Sequence, residues 1–167
     1  VQGYWNYMDR VKQYGDAFTD GDKLALRDAE SGELPNLCLL KARLLYDGGY
    51  FAQADSTLNR LDCGLTTERD KTEFPYRRGR ISHALNDIDA ALSWYEKTIE
   101  TGGRQPYYFA SNAALQIGAI YESLGDYSLA EDYYRQCLQM PGKEYKTSLN
   151  QKAKAGLNSL KDKNTTK

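Results

Sequence analysis

Few side chains in this sequence could take part in chemistry, and their spacing argues against a reaction centre. His83 is the single histidine in 167 residues. It excludes any site needing two imidazoles and leaves a Ser/His/Asp triad one candidate base. Glu122, Glu131 and Asp132 fall on helical stretches, but a di-iron centre in a helical bundle needs two Glu-x-x-His pairs. Cys38, Cys63 and Cys137 stand far apart with no CxxC, which supports neither a zinc knuckle nor a dense disulfide framework and leaves the redox compartment open. Cys38 and Cys137 lie in apolar helical contexts and read as inert packing thiols. Gly102-Gly103 lacks the further glycine, lysine and Ser/Thr of a phosphate cradle and reads as linker. No serine or threonine sits in a nucleophile elbow. The reading is of a non-enzyme, with no cofactor and no metal.

Charge and composition narrow the partners. Twenty-two Lys and Arg against 23 Asp and Glu give a net charge of −1, and the pI near 5.9 provides no basic channel. Nucleic acid is therefore not expected as a partner, even though Tyr107-Tyr108 and Tyr133-Tyr134 could stack on bases. Mean hydropathy of −0.72, with no apolar run of about 18 residues, fits a soluble protein without membrane insertion. The sequence opens on Val1 with no charged and apolar leader, so it reads as a fragment whose targeting segment is absent or removed.

These residues must be positioned by helices. There are 20 Leu and 16 Ala but only 5 Ile and 2 Val, a balance that favours helix because β-branched side chains lose χ1 freedom there. Pro35, Pro75 and Pro106 are expected just inside the starts of helical segments, and Pro141-Gly142 reads as a stop.

Self-comparison finds one pattern three times. It runs Lys41, Ala42, Leu45, Gly48-Gly49-Tyr50-Phe51, Ala54, Leu58, Leu61; then Arg78, Gly79, Ser82, Leu85-Asn86-Asp87-Ile88, Ala91, Tyr95, Thr98; then Ile117, Gly118, Tyr121, Leu124-Gly125-Asp126-Tyr127, Ala130, Tyr134, Cys137, Pro141. The small anchors Ala42, Gly79 and Gly118 stand 37 and 39 residues apart, one helical hairpin per period. A small residue at the anchor and at Ala54, Ala91 and Ala130 lets the two helices approach closely. Gly or Asn at 49, 86 and 125 can take the left-handed conformation that ends a helix.

The pattern of small residue, Tyr, Gly-Asp-Tyr, Ala, Tyr and Pro resembles the tetratricopeptide repeat family, best over 111–144 and less closely over 72–105 and 35–68. The stretch from Pro106 to Gly156 is also similar to the C-terminal end of longer bacterial proteins of that family. The resemblance implies an all-α fold, a right-handed α-solenoid of about three hairpins with flanking capping helices. It divides the chain into N-terminal helices (1–34), three repeats (35–71, 72–110, 111–142), an amphipathic capping helix (143–160) and a solvated tail (161–167). The loops between repeats are expected at Asp62 to Asp70 and Thr101 to Gln105. In such arrays the first helices line a concave groove. Counting positions from each repeat start assigns Arg43, Tyr46, Tyr76, Arg77, Arg80, His83, Asn112 and Gln116 to a peptide-binding face. Guanidinium forks beside aromatic rings suit a carboxylate and an apolar side chain. The family's clamp for chaperone tails is not reproduced, because its positions hold Leu39, Arg43, Arg77, Asn112 and Gln116.

The expected function is a protein-interaction scaffold binding a partner peptide or helix in that groove. The alternative is a structural spacer that self-associates through its ends, motivated by Tyr4, Trp5, Tyr7, Met8, Val11 and Tyr14 crowding one N-terminal helix. A cell-envelope location follows from the bacterial resemblance if an upstream signal was removed, and a cytoplasmic one otherwise.

Overall fold

A computed structural model describes residues 2–60 and 63–165, and all regular structure in them is helical. The expected packing at Leu61 and the start of the expected loop at Asp62 lie outside the described residues. The chain divides into two compact units, Val1–Pro35 and Asn36–Lys167.

In the first unit α1 (Gln2–Tyr14) packs against α2 (Asp20–Ser31). A capping box starts α2: the Thr19 hydroxyl accepts from the Asp22 N–H at 3.1 Å, and the Asp22 carboxylate accepts from the Thr19 N–H at 2.8 Å. Gly32 ends it at φ +68°. Among its described residues Leu24 and Ala29 alone are buried, and Tyr7, Tyr14 and Phe18 are exposed.

The second unit is built from three hairpins and a closing helix. These are α3 (Leu37–Asp47) with α4 (Phe51–Arg60), α5 (Glu68–Ala84) with α6 (Ile88–Gly102), α7 (Phe109–Leu124) with α8 (Tyr127–Gln139), and α9 (Lys146–Thr165). The three hairpin turns share one chemistry. The N–H groups of Tyr50, Asp87 and Asp126 donate five residues back to Leu45, Ser82 and Tyr121 at 2.8, 2.9 and 3.0 Å. The residue before each, Gly49, Asn86 or Gly125, has φ of +81°, +62° or +81°. Asp87 and Asp126 then cap the second helix, accepting from the N–H groups of Ala90 and Leu129.

Each hairpin's core is completed by the first helix of the next. Leu39, Ala42, Ala54 and Leu58 close on Ile81 of α5. Tyr76, Ala91 and Tyr95 close on Phe109, Ala113, Ile117 and Ile120 of α7. Ala130, Tyr134 and Cys137 close on Leu149, Ala153 and Leu160 of α9. A single hairpin cannot cover its own apolar face, so stacking is what buries it. The first helices pack in succession, α3 on α5, α5 on α7 and α7 on α9, whereas α4, α6 and α8 do not pack on one another among the described residues. This unit is thus an α-helical solenoid whose tight side carries α3, α5 and α7.

Four local expectations need correction. Pro75 lies in the interior of α5, not at its start, and Pro35 and Pro106 stand two and three residues ahead of α3 and α7 rather than inside them. A capping box of Thr67 and Asp70 begins that helix at Glu68, so the loop expected to reach Asp70 ends at Thr67. Pro75 removes the one bond its N–H would make to the Lys71 carbonyl, and the Thr67 cap starts the helix upstream of it. The solvated tail expected from 161 continues instead as α9 to Thr165, with residues 161–163 exposed. Cys38 is not a free packing thiol but is disulfide-bonded to Cys63, leaving Cys137 as the free, buried cysteine.

Candidate functional site

The residues expected on one face are carried by α3, α5 and α7, the helices of the tight side. Arg43 and Tyr46 are one turn apart on α3. Arg43 is exposed, with Nε 3.5 Å from the Asp47 carboxylate, and Tyr46 is half-buried against Phe51. Arg80 of α5 lies across the α3–α5 junction, its guanidinium carbon 4.1 Å from the centroid of the Tyr46 ring. No carboxylate lies within ion-pair reach of Arg80 among the described residues. Burial opposes its charge, but Tyr76 and Tyr46 around it hold the guanidinium above its ordinary value.

Two of the eight are interior residues. Tyr76 is 2% exposed and Arg77 4% exposed. The Arg77 guanidinium donates through Nε and Nη2 to Glu73 at 2.8 and 2.6 Å. The cover comes from the segment entering α7. Tyr108 and Phe109 pack on the Tyr76 ring with centroids 5.6 and 5.3 Å away. Position counting misses this because it treats every repeat as equally open, and the insertion ahead of α7 folds over the second one.

The remaining three extend the surface along the stack. His83, one turn beyond Arg80, is half-buried edge-on to Tyr95, and burial lowers its pKa, favouring the neutral imidazole. Asn112 of α7 donates to the Tyr76 hydroxyl at 2.8 Å, and Gln116 donates to the Asn112 carbonyl oxygen at 3.1 Å. The structure therefore brings Arg43, Tyr46, Arg80, His83, Asn112 and Gln116 to partly open positions around a buried Tyr76–Arg77 floor.

Tyr108 is the residue that position counting does not assign. Burial raises its pKa, and the electrostatic influences that follow are Arg77, Glu73, Arg43 and Arg80. Three guanidinium groups from two helices thus bear on one hydroxyl, and the carboxylates beside them engage only Arg77 and Arg43. The sequence signal was present in Pro106-Tyr107-Tyr108-Phe109, an aromatic run directly before a helix.

Elsewhere the acidic side chains are structural or solvent-facing. A cleft of about 380 Å³ between α6 and α8 is lined by Glu96, Ile99, Glu100, Asp132, Tyr133 and Gln136. Tyr133 spans it to donate to Glu96 at 3.3 Å, and burial followed by Glu96 pushes the phenol up to about 12. Among the described residues no group of three or more His, Cys, Asp or Glu is placed to hold a metal ion. No helix among them is long and apolar enough to cross a membrane.

The tandem hairpins, their shared turn chemistry and the succession α3–α5–α7 define an α-helical repeat protein. Residues 74–141, from within α5 to the end of the third hairpin, match the tetratricopeptide repeat family. Repeats of this family mediate protein–protein interaction, and their fold is typically a non-catalytic scaffold. Neither the curated proteins nor the solved structures give a match to the chain.

Proposed function

We propose that this chain is a non-catalytic interaction scaffold that holds an extended partner segment along the α3–α5–α7 face. The observation that carries the reading is Arg80, stacked on Tyr46 with no carboxylate partner of its own. A guanidinium held on an aromatic ring keeps its outer N–H groups free and oriented, which suits a carboxylate on the ligand. Arg43 on one side and Asn112 and Gln116 on the other give further donors for a backbone lying across the helices. Tyr46 and His83 provide apolar surface between them. The stack is ordered before the partner arrives, so little backbone entropy is lost on the scaffold side when it docks.

The test starts from peptides selected on the intact chain, with affinity measured by calorimetry. The selected sequences should share an acidic side chain or a free C-terminal carboxylate. Arg43→Ala combined with Arg80→Ala should weaken binding by about 10- to 100-fold, the loss expected for charge-assisted hydrogen bonds. The thermal midpoint should fall by only a few degrees, because Arg43 is exposed and truncating the half-buried Arg80 leaves no unpaired charge behind. Unchanged affinity in the double variant would remove the groove from the account.

A further inference from the structure

The first hairpin of the solenoid is the least self-sufficient. Its first helix has 11 residues, against 17 in the second hairpin and 16 in the third. Among the described residues its core cluster contains five buried side chains, and one of those, Ile81, belongs to α5. The clusters at the next two junctions contain seven and ten. Outside that core, α4 is tied to α5 by Arg78, which pairs with Asp55 at 3.2 Å and donates to Asn59.

The Cys38–Cys63 bridge makes up for this thin core. It joins the first turn of α3 to the segment that leaves α4, across a sequence separation of 25, with the two Cα atoms 5.3 Å apart. Asn36 reinforces the same junction. Its carbonyl oxygen caps α3 by accepting from the N–H groups of Cys38 and Leu39 at 3.1 and 3.2 Å, while its amide donates to the Cys63 carbonyl at 2.7 Å. Leu65, two residues past the bridge, packs against the same cluster, as does Tyr46. Both bridged cysteines are half-buried, so a small reductant has access to them. Cys137 is buried in the third hairpin and its thiol is pushed up to about 11 by that burial, which makes it a poor partner for exchange.

We propose that the Cys38–Cys63 disulfide is a redox clasp on the first hairpin: oxidised, it holds α3 and α4 in the stack, and reduced, it lets that hairpin open while α5–α8 stay folded. The chemistry is thiol–disulfide exchange with a dithiol. One thiolate of the reductant attacks one Sγ and breaks the Sγ–Sγ bond. Its second thiol then resolves the mixed disulfide. Cys38 and Cys63 each end as a thiol with one proton, and the dithiol ends as a disulfide. Opening takes Tyr46 from beneath Arg80, so the clasp would also gate the face described above. That consequence rests on the groove reading, whereas the opening itself is measured with no ligand. A bridge of this kind persists in an oxidising compartment, which is where the clasped form belongs.

The experiment is hydrogen exchange read by mass spectrometry on the full chain, with and without dithiothreitol. Thiol alkylation under denaturing conditions is run beside it. Before reduction one cysteine, Cys137, should be alkylated, and after reduction all three. Exchange in residues 37–60 should accelerate by about a hundredfold on reduction, as expected when a loop of this size is no longer closed in the opened state. Peptides from 72–139 should keep their protection. A Cys38→Ser, Cys63→Ser variant should exchange like the reduced wild type and be insensitive to dithiothreitol. Should that variant fail to fold, reduction of the folded wild type gives the same reading. Three free thiols in chain made in an oxidising compartment, unchanged exchange in 37–60, or an equal rise across 72–139 would each overturn the proposal.

Discussion

Tyr134 shows how narrowly a single side chain can be accommodated between helices. Its ring lies over Gly118 of α7 on one side and Gly156 of α9 on the other. A Cβ added at Gly118 would come 2.7 Å from two ring carbons, and one added at Gly156 would also collide with the ring. The ring cannot swing aside, because its hydroxyl donates to Glu122 at 2.7 Å. Tyr95 repeats the arrangement over Gly79, where a Cβ would approach to 2.6 Å. Small anchors thus serve as receiving surfaces for the aromatic residue of the second helix. Gly118→Ala should therefore destabilise the chain by about 2 kcal/mol despite adding a better helix former, because overpacking outweighs propensity. A thermal melt should register a fall of about 6 °C. A rise would mean that Tyr134 has somewhere else to go.

Among the elements, α9 is one whose attachment depends on ionisation. Its apolar side is buried at Leu149, Ala153 and Leu160. Its C-terminal half is fastened by Glu122 of α7, which accepts from Ser159 and Lys163 at 2.8 Å each. Burial alone would raise the Glu122 carboxyl, but hydrogen bonds from Lys163, Tyr134 and Ser159 outweigh it and hold the pKa below its ordinary 4.5. The undocked state therefore takes up the proton more readily than the docked one. The stabilisation is complete above the ordinary carboxyl value and is lost as pH falls through the lowered one. Acid titration followed by NMR should show Ser159 and its neighbours losing dispersion below about pH 4.5, before signals of α5 and α6 do. Glu122→Gln should remove that early step. Much of this level was legible beforehand. The anchors 42, 79 and 118 and the turns at 49, 86 and 125 are short-range patterns imposed by helix packing and backbone sterics. The misplacements have physical reasons too. Pro75 suggested a helix start, while the real one was written three residues apart in Thr67 and Asp70. Cys38–Cys63 pairing depends on a fold that brings distant positions together. At the candidate site Arg43 and Arg80 were readable by position. The burial of Tyr76 and Arg77 was not, because it comes from Tyr108 and Phe109, which belong to the next repeat.

At the scale of the whole solenoid unit, what matters is how strongly one hairpin feels the next. Much of that coupling is spread over the three apolar clusters, but one polar group concentrates it. Glu144, in the connector between α8 and α9, has a side chain only 1% exposed. It accepts from Arg69 at 3.1 Å and from the Tyr108 N–H at 3.2 Å, joining the extra first turn of α5 to the start of α7. Removing it takes the carboxylate from a guanidinium that is 25% exposed and the acceptor from the Tyr108 N–H. Breaking such a pair from one side costs about 3 kcal/mol, more than the pair contributes in net terms, because the remaining partner stays desolvated. Glu144→Ala should thus lower the urea midpoint. In a repeat stack, loss of an interface term also lowers cooperativity, since stability is the sum of repeat and nearest-neighbour contributions. The melt should broaden, with an apparent m-value below that of the wild type as α7–α9 and the preceding hairpins begin to unfold separately. A shifted midpoint with an unchanged slope would place the coupling in the apolar clusters alone, with Glu144 contributing stability but no communication between hairpins.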